Sequence, residues 1–134
     1  MKENPDYSQV KIAVVDDSDF SRSLIIKMVK AAGFNVVGEA NHADTALQMI
    51  KEMRPDIVIT DIVMPDISGI ELTEKISQNF DNIYVIVISS LTQEHIVLEA
   101  INAGASDFLP KPINQTQLID SLEKIMALSK KESP

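Results

Sequence analysis

Along this chain, short apolar runs alternate with segments whose apolar residues recur every three or four positions. The first run, Val10 to Val15, predicts a strand. A helix follows over Asp19 to Ala32, with Phe20, Leu24 and Met28 at i, i+4 spacing joined by Ile25 and Val29, and Gly33 stops it. Asn35 to Ala40 is a second predicted strand. Ala43 to Met53 is a helix with Ala46, Leu47 and Ile50 on one side, ended by Arg54-Pro55 because proline disfavours helical geometry in the residue before it. Ile57 to Asp61 is the third strand. Ser68-Gly-Ile-Glu71 has the spacing of a capping box and opens a helix to about Asn79. Ile83 to Ser89 is the fourth strand, apolar almost throughout, which predicts cover on both faces. Thr92 caps a helix through about Ala103, and Asp107 to Leu109 is a short fifth strand. Asn114 or Gln115 opens a last helix with Leu118, Leu122 and Ile125 facing inward, and the polar end from Ser129 to Pro134 is expected to fray.

Five repeats of strand then helix imply an α/β fold, a parallel sheet with right-handed crossovers and helices on both faces. In such a sheet every strand's carboxyl end lies on one edge, and ligands bind there, where the winding direction reverses. Three of the predicted strands end in polar groups: Asp16-Asp17 after the first, Asp61 at the end of the third, and Lys111-Pro112 after the fifth. One edge then holds three carboxylates and an ammonium, a set suited to a divalent cation and a phosphoryl group. Taken singly, each has a plainer role. Asp16-Asp17 fits a helix-capping turn and Asp61 a turn before Met64-Pro65. Lys111 alone fits a solvated lysine, Ser89 a loop hydroxyl and Phe108 ordinary core. Ser21 and Arg22, beside the acidic pair, fit either a contact with a kinase or a solvated helix start.

Composition narrows the function classes. With 12 Lys and Arg against 20 Asp and Glu, the net charge is −8, and nothing concentrates positive charge for a nucleic-acid backbone. Six aromatics and no Trp offer no base-stacking platform. The chain has 134 residues, one domain's worth, and 45% of them are apolar, enough for a sizeable core. No apolar run approaches the roughly 20 residues that span a bilayer, and Met1 to Asp6 lacks the apolar centre of a signal peptide. Without Cys there is no disulfide framework or thiolate site, which fits a cytoplasmic location. His42 and His95 are isolated and read as surface positions, while Met28, Met49, Met53 and Met126 read as core filler.

The order Asp-Asp, then Asp-x-x-Met-Pro with Gly69 downstream, then Ser-Ser, then Gly-Ala-x-Asp-Phe-x-x-Lys-Pro resembles a response-regulator receiver domain, above all the small single-domain chemotaxis regulators of the CheY-like family. The likeness covers about Val10 to Leu128, giving a receiver domain over 10–129 with tails at 1–9 and 130–134. It implies a doubly wound, flavodoxin-like five-stranded sheet of order 2-1-3-4-5. Strands one and three are then neighbours about 4.8 Å apart, so their terminal carboxylates are crowded, and a hard oxygen-seeking cation relieves the repulsion.

The resemblance further implies roles. Asp61 is the phosphoacceptor. Asp17 binds Mg2+ directly, with Mn2+ able to substitute. Asp16 holds the metal through water, and Val63 contributes its backbone carbonyl. Lys111 neutralises phosphoryl charge, and a cis Lys111-Pro112 peptide is expected. Ser89 donates its hydroxyl after phosphorylation, Phe108 turns inward, and the face made by the fourth helix, fifth strand and fifth helix changes shape for a partner. The partners implied are a histidine kinase or phosphotransfer protein and an output protein, such as a flagellar switch component. Chemotaxis or a phosphorelay is the implied setting, and the protein is expected to be a phosphoacceptor rather than a turnover enzyme. No nucleic acid or membrane is expected. Ser89 and Phe108 stand where Thr and Tyr are common, while Val63 and Leu91 are apolar where polar groups often orient water. Two other readings stay open: an isolated receiver of a larger regulator with a DNA-binding or methylesterase output, and a Mg2+-dependent phosphatase using an aspartyl-phosphate intermediate. Flavin mononucleotide binding on this architecture would need a Ser/Thr/Gly-rich loop where Asp16-Asp17 stands.

Overall fold

A computed structural model of the chain describes residues 6–132; the outer ends of both expected tails, including Met1 to Pro5, lie outside the described residues. Strands β1 (Lys11–Val15), β2 (Asn35–Ala40), β3 (Ile57–Asp61), β4 (Tyr84–Ser89) and β5 (Asp107–Pro110) alternate with helices α1 (Asp19–Ala31), α2 (Ala43–Met53), α3 (Gly69–Asn79), α4 (Glu94–Asn102) and α5 (Gln115–Glu132). All pairings are parallel, and the order is β2-β1-β3-β4-β5, as the resemblance implied.

The two-residue period of the strands sorts the core into two layers. Ile12, Val14, Ile57, Ile59, Ile86, Ile88 and Leu109 face Ile25 and Val29 of α1 and Leu118, Leu122 and Ile125 of α5. Ala13, Val15, Val58, Val85 and Val87 face α2, α3 and α4 through Ala46, Ile50, Leu72, Ile76 and Ala100. Cover on both sides explains why β4 is apolar almost throughout and why every residue of β3 is buried.

Several local expectations need correction. Phe20 was expected on the inner stripe of α1, but it is 79% exposed while Ile25 and Val29 are buried. It occupies the first turn of the helix, just past the end of β1, where it lines an open pocket with Leu24, Pro112 and Ile113. Met53 is exposed rather than core filler, because it closes the last turn of α2 on its outer side, whereas Met28, Met49 and Met126 do pack on the core. The N-cap position of α4 is Gln93, which makes no side-chain capping bond, and not Thr92. The polar stretch from Ser129 stays helical to Glu132 as a continuation of α5. At the other end, Tyr7 in the expected tail is docked: its ring stacks on Phe34 with centroids 4.3 Å apart, and its hydroxyl donates to Glu123 Oε2 of α5 at 2.6 Å.

Helix α2 begins after His42, whose side chain makes no capping bond. Its free N–H groups are met from elsewhere in the chain. The Asp66 carboxylate, in the loop after β3, accepts from Ala43 N at 3.0 Å and Asp44 N at 2.8 Å. The Ala43 bond, with those from the Asp44 and Ile67 amides, outweighs the opposing effect of burial and lowers the Asp66 carboxyl to about 2. A depressed acid contributes stability above its unfolded value near 4, and that contribution is lost as pH falls through about 2. Urea melts between pH 5 and 2 are therefore expected to show a shallower acid loss in Asp66→Asn than in the natural chain.

Candidate functional site

The pocket forms because the strand period continues past the last core residue. Asp16 follows Ile12 and Val14 in phase, Asp61 follows Ile57 and Ile59, and Lys111 follows Leu109, so all three emerge on the α1/α5 side of the sheet edge. Asp16 is fully buried and Asp61 is 9% exposed. Lys111 Nζ lies between them, 3.0 Å from Asp16 Oδ2 and 3.0 Å from Asp61 Oδ2. Asp17 turns outward at the mouth, yet its carboxylate oxygen lies within 4.8 Å of oxygens from Asp16 and Asp61. Three hard carboxylate oxygens, with no imidazole or thiolate in the cluster, fit a hard divalent cation.

Each carboxylate is held. Asp16 Oδ1 accepts from Ser18 N at 2.9 Å and Oδ2 from Ser21 Oγ at 2.7 Å. Ser18 also caps α1 through the Ser21 N–H. Asp61 Oδ1 accepts from Ile62 N at 2.7 Å, leaving Oδ2 to Lys111. Burial pushes the Asp61 carboxyl above its ordinary value against the opposing pull of Lys111, and the Asp16 carboxylate adds to the rise. For Lys111, burial alone would lower the ammonium, but the hydrogen bonds to Asp16 and Asp61 reverse this and leave it raised, so it stays charged at neutral pH.

The remaining predicted residues lie on neighbouring strands and loops. Ser89 is buried at the end of β4, one residue beyond the Ile88 that pairs with Asp61. Its Oγ accepts from Leu91 N at 3.0 Å, which leaves the hydroxyl proton available to another acceptor. The Ser89 carbonyl accepts from Lys111 N, tying the ends of β4 and β5 together. The Lys111-Pro112 peptide is cis. Val63 is 57% exposed in the loop after Asp61. Phe108 is half-buried against the α2/α3/α4 layer. Its strand is pinned to α5 where Ser121 Oγ donates to Asp107 Oδ2 at 2.7 Å. The isolated histidines stay apart from the cluster, His42 at the start of α2 and His95 exposed on α4.

Two residues that shape the site were not singled out for these roles. Gly69 opens α3 directly against the Asp61 backbone, and its N–H donates to Ile62 O at 2.7 Å. A Cβ there would stand 1.8 Å from the Asp61 carbonyl oxygen. Arg22 is turned inward and donates to the backbone oxygen of Asp16 at 2.8 Å. An arginine in the first turn of a helix, where the helix dipole disfavours positive charge, is the sequence signal that it has acidic company.

Residues 12–123 match the response regulator receiver domain family. The chain is 37% identical to the chemotaxis protein CheY of Thermotoga maritima over 115 residues, 86% of this chain and 96% of the relative. It is 38% identical over 119 residues to a protein-glutamate methylesterase/protein-glutamine glutaminase of Nocardioides, of which it spans 32%. A chain in the CheX-CheY complex with BeF3 and Mg2+ from Borrelia burgdorferi superimposes with a TM-score of 0.84 at 28% identity, covering 87% of this chain and 89% of that one. No helix among the described residues is long and apolar enough to cross a membrane. With the sheet order, the acidic pocket and a family match over nearly the whole domain all in agreement, the chain belongs to the response regulator receiver domain family and is CheY-like.

Proposed function

We propose that this receiver domain accepts one phosphoryl group on Asp61, with Mg2+ held by Asp16, Asp17 and Asp61 and by the Val63 carbonyl, and that it signals by presenting an altered α4-β5-α5 face. The observation that carries this reading is the convergence of Asp16, Asp17, Asp61 and Lys111 within hydrogen-bonding or metal-sharing distance at one sheet edge. Asp61 is the nucleophile: a bond forms from its carboxylate oxygen to phosphorus as the bond from phosphorus to the donor breaks, in line. When bound, Mg2+ supplies positive charge to the phosphoryl oxygens. Lys111 holds a second positive charge beside the same oxygens, and its anchorage to Asp16 keeps it in the pocket when Asp61 is modified. The Ser89 proton is free to go to a phosphoryl oxygen. That new bond would draw the β4–α4 loop inward and let Phe108 follow.

A histidine kinase or phosphotransfer protein is the donor, and the output is a protein contact. The likeness to CheY over almost the whole of that relative favours chemotaxis, with a flagellar switch component as the target. The methylesterase similarity keeps an attached output domain as the second reading. Incubation with acetyl phosphate followed by intact mass measurement is expected to show one added phosphoryl group with Mg2+ and none when the metal is chelated. Repeated turnover of small phosphate esters would instead indicate a phosphatase.

Val63 is apolar and solvent-facing, and Leu91 packs on the core beside Ser89, so neither offers a polar group to orient an attacking water. Decay of the phosphorylated protein is therefore expected to take minutes or longer. A half-life of seconds, read by the loss of the added mass, would contradict slow self-dephosphorylation.

A further inference from the structure

The four acids around the β1–α1 loop are not held alike. Asp16 is fixed by Ser18, Ser21 and Lys111, and Asp19 and Glu39 are each paired with Arg22. Asp17 has no side-chain partner among the described residues. The place from which that carboxylate reaches inward is then set by the Asp16–Asp17 peptide, a rigid plane that carries the Asp17 Cα and whose oxygen belongs to Asp16. That oxygen is the one Arg22 grips.

The Arg22 side chain is only 15% exposed, and its guanidinium uses all three of its nitrogens. Nη1 donates to the Asp16 oxygen at 2.8 Å, Nη2 to Asp19 Oδ1 at 2.7 Å, and Nε to Glu39 Oε1 at 2.7 Å. The fork is planar, so anchoring two edges to carboxylates on α1 and β2 fixes the bearing of the third. We propose that Arg22 is a positioning residue for metal binding, fixing the Asp16–Asp17 peptide and through it the backbone position from which the Asp17 carboxylate reaches the metal. This rests on the reading that Asp17 is a metal ligand.

Charge and geometry make opposite demands here, which gives the idea a sign. A cation beside a cation site repels the metal, so if Arg22 mattered only as a charge, its loss would tighten Mg2+ binding. If it matters as a fork, replacing it by lysine, which keeps the charge and loses the planar three-way grip, weakens binding. Groups that orient a ligand in this indirect way are worth roughly ten- to a hundredfold in metal affinity.

The test is a titration of the ¹⁵N-labelled full chain with MgCl2, followed by amide NMR shifts. Arg22→Lys is expected to raise the Mg2+ dissociation constant on the order of tenfold while keeping the dispersed strand resonances of a folded sheet. Uptake from acetyl phosphate should then need proportionately more Mg2+ and recover at saturation. A folded Arg22→Lys that binds Mg2+ within about twofold of the natural chain overturns the proposal. If Arg22→Lys does not fold, Glu39→Asp decides, since it keeps the charge and shortens one anchor at a half-exposed strand position. A weakened Mg2+ affinity there supports the proposal and an unchanged one overturns it. If the natural chain shows no Mg2+-dependent shifts around Asp16, Asp17 and Asp61, the proposed function falls together with the role of Arg22. If those shifts occur and the variants match them, only the role of Arg22 falls.

Discussion

Asp61→Asn is expected to take up no phosphoryl group from acetyl phosphate and to melt at a higher temperature than the natural chain in the absence of divalent metal. The first effect is loss of the nucleophile. The second follows from the direction of the Asp61 shift. Its carboxyl is raised in the folded state by burial and by the facing Asp16 carboxylate. An acid raised above its unfolded value favours the fold at low pH and loses that contribution as pH rises through the folded value, so ionised Asp61 weighs against folding at neutral pH. Asparagine keeps the oxygen that accepts from Ile62 N and removes the charge, while Lys111 keeps Asp16 as partner. A gain on the order of 1 kcal/mol would shift the midpoint by a few degrees. Added Mg2+ should raise the midpoint of the natural chain and narrow or reverse this gap, because a ligand that binds only the folded state stabilises it. Thermal melts with and without MgCl2 check both halves.

Gly69→Ala is expected to be the most damaging substitution outside the acidic cluster. A methyl group 1.8 Å from the Asp61 carbonyl oxygen cannot be accommodated by a rotamer change, since the obstacle is backbone, with the Asp61 carbonyl carbon at 2.7 Å behind it. Either α3 backs away from β3, breaking the Gly69–Ile62 bond, or the end of β3 moves with Asp61. Overpacking of this kind costs about 1–3 kcal/mol or more. A displacement of about 1 Å at a reacting group costs on the order of a hundredfold in rate. A phosphorylation rate at least tenfold below the natural chain, in a protein that still folds, is the expected outcome. The contrast is Gly38, where the added methyl would meet only the flexible end of Met49, so that site should yield with little effect on phosphorylation.

The strand ends were legible in the sequence because two simple rules coincide there. The period of two carries Asp16, Asp61 and Lys111 onto one side of the sheet, and the parallel arrangement puts all three at one edge. What escaped was held by contacts with no periodic signature. Tyr7 sits in a polar stretch before β1 and docks only because Phe34 and Glu123, distant in sequence, meet there. Periodicity groups Phe20 with the inner stripe of α1, because it reports which residues share a helix face but not how far the sheet beneath that face extends. Asp66 carries no periodic signal in its loop. The clue was at the other end of its bond, since His42 is a poor helix cap and α2 had to find its acceptor elsewhere. Gly69 was visible as part of the receiver pattern, but nothing in a one-dimensional pattern shows that a glycine stands against the nucleophile's own carbonyl.

The claim on which the rest depends is that carboxylates far apart in the chain converge to make Asp61 the phosphoryl acceptor in a metal-dependent pocket. Borohydride reduction after incubation with acetyl phosphate and Mg2+, followed by peptide mapping, tests this directly, because an acyl phosphate is reduced to the alcohol at the residue that carried it. The expected result is homoserine at position 61 and at no other aspartate, appearing with Mg2+ and absent under chelation. Reduction at Asp16, Asp17 or a surface carboxylate, or equal labelling with and without the metal, would contradict it.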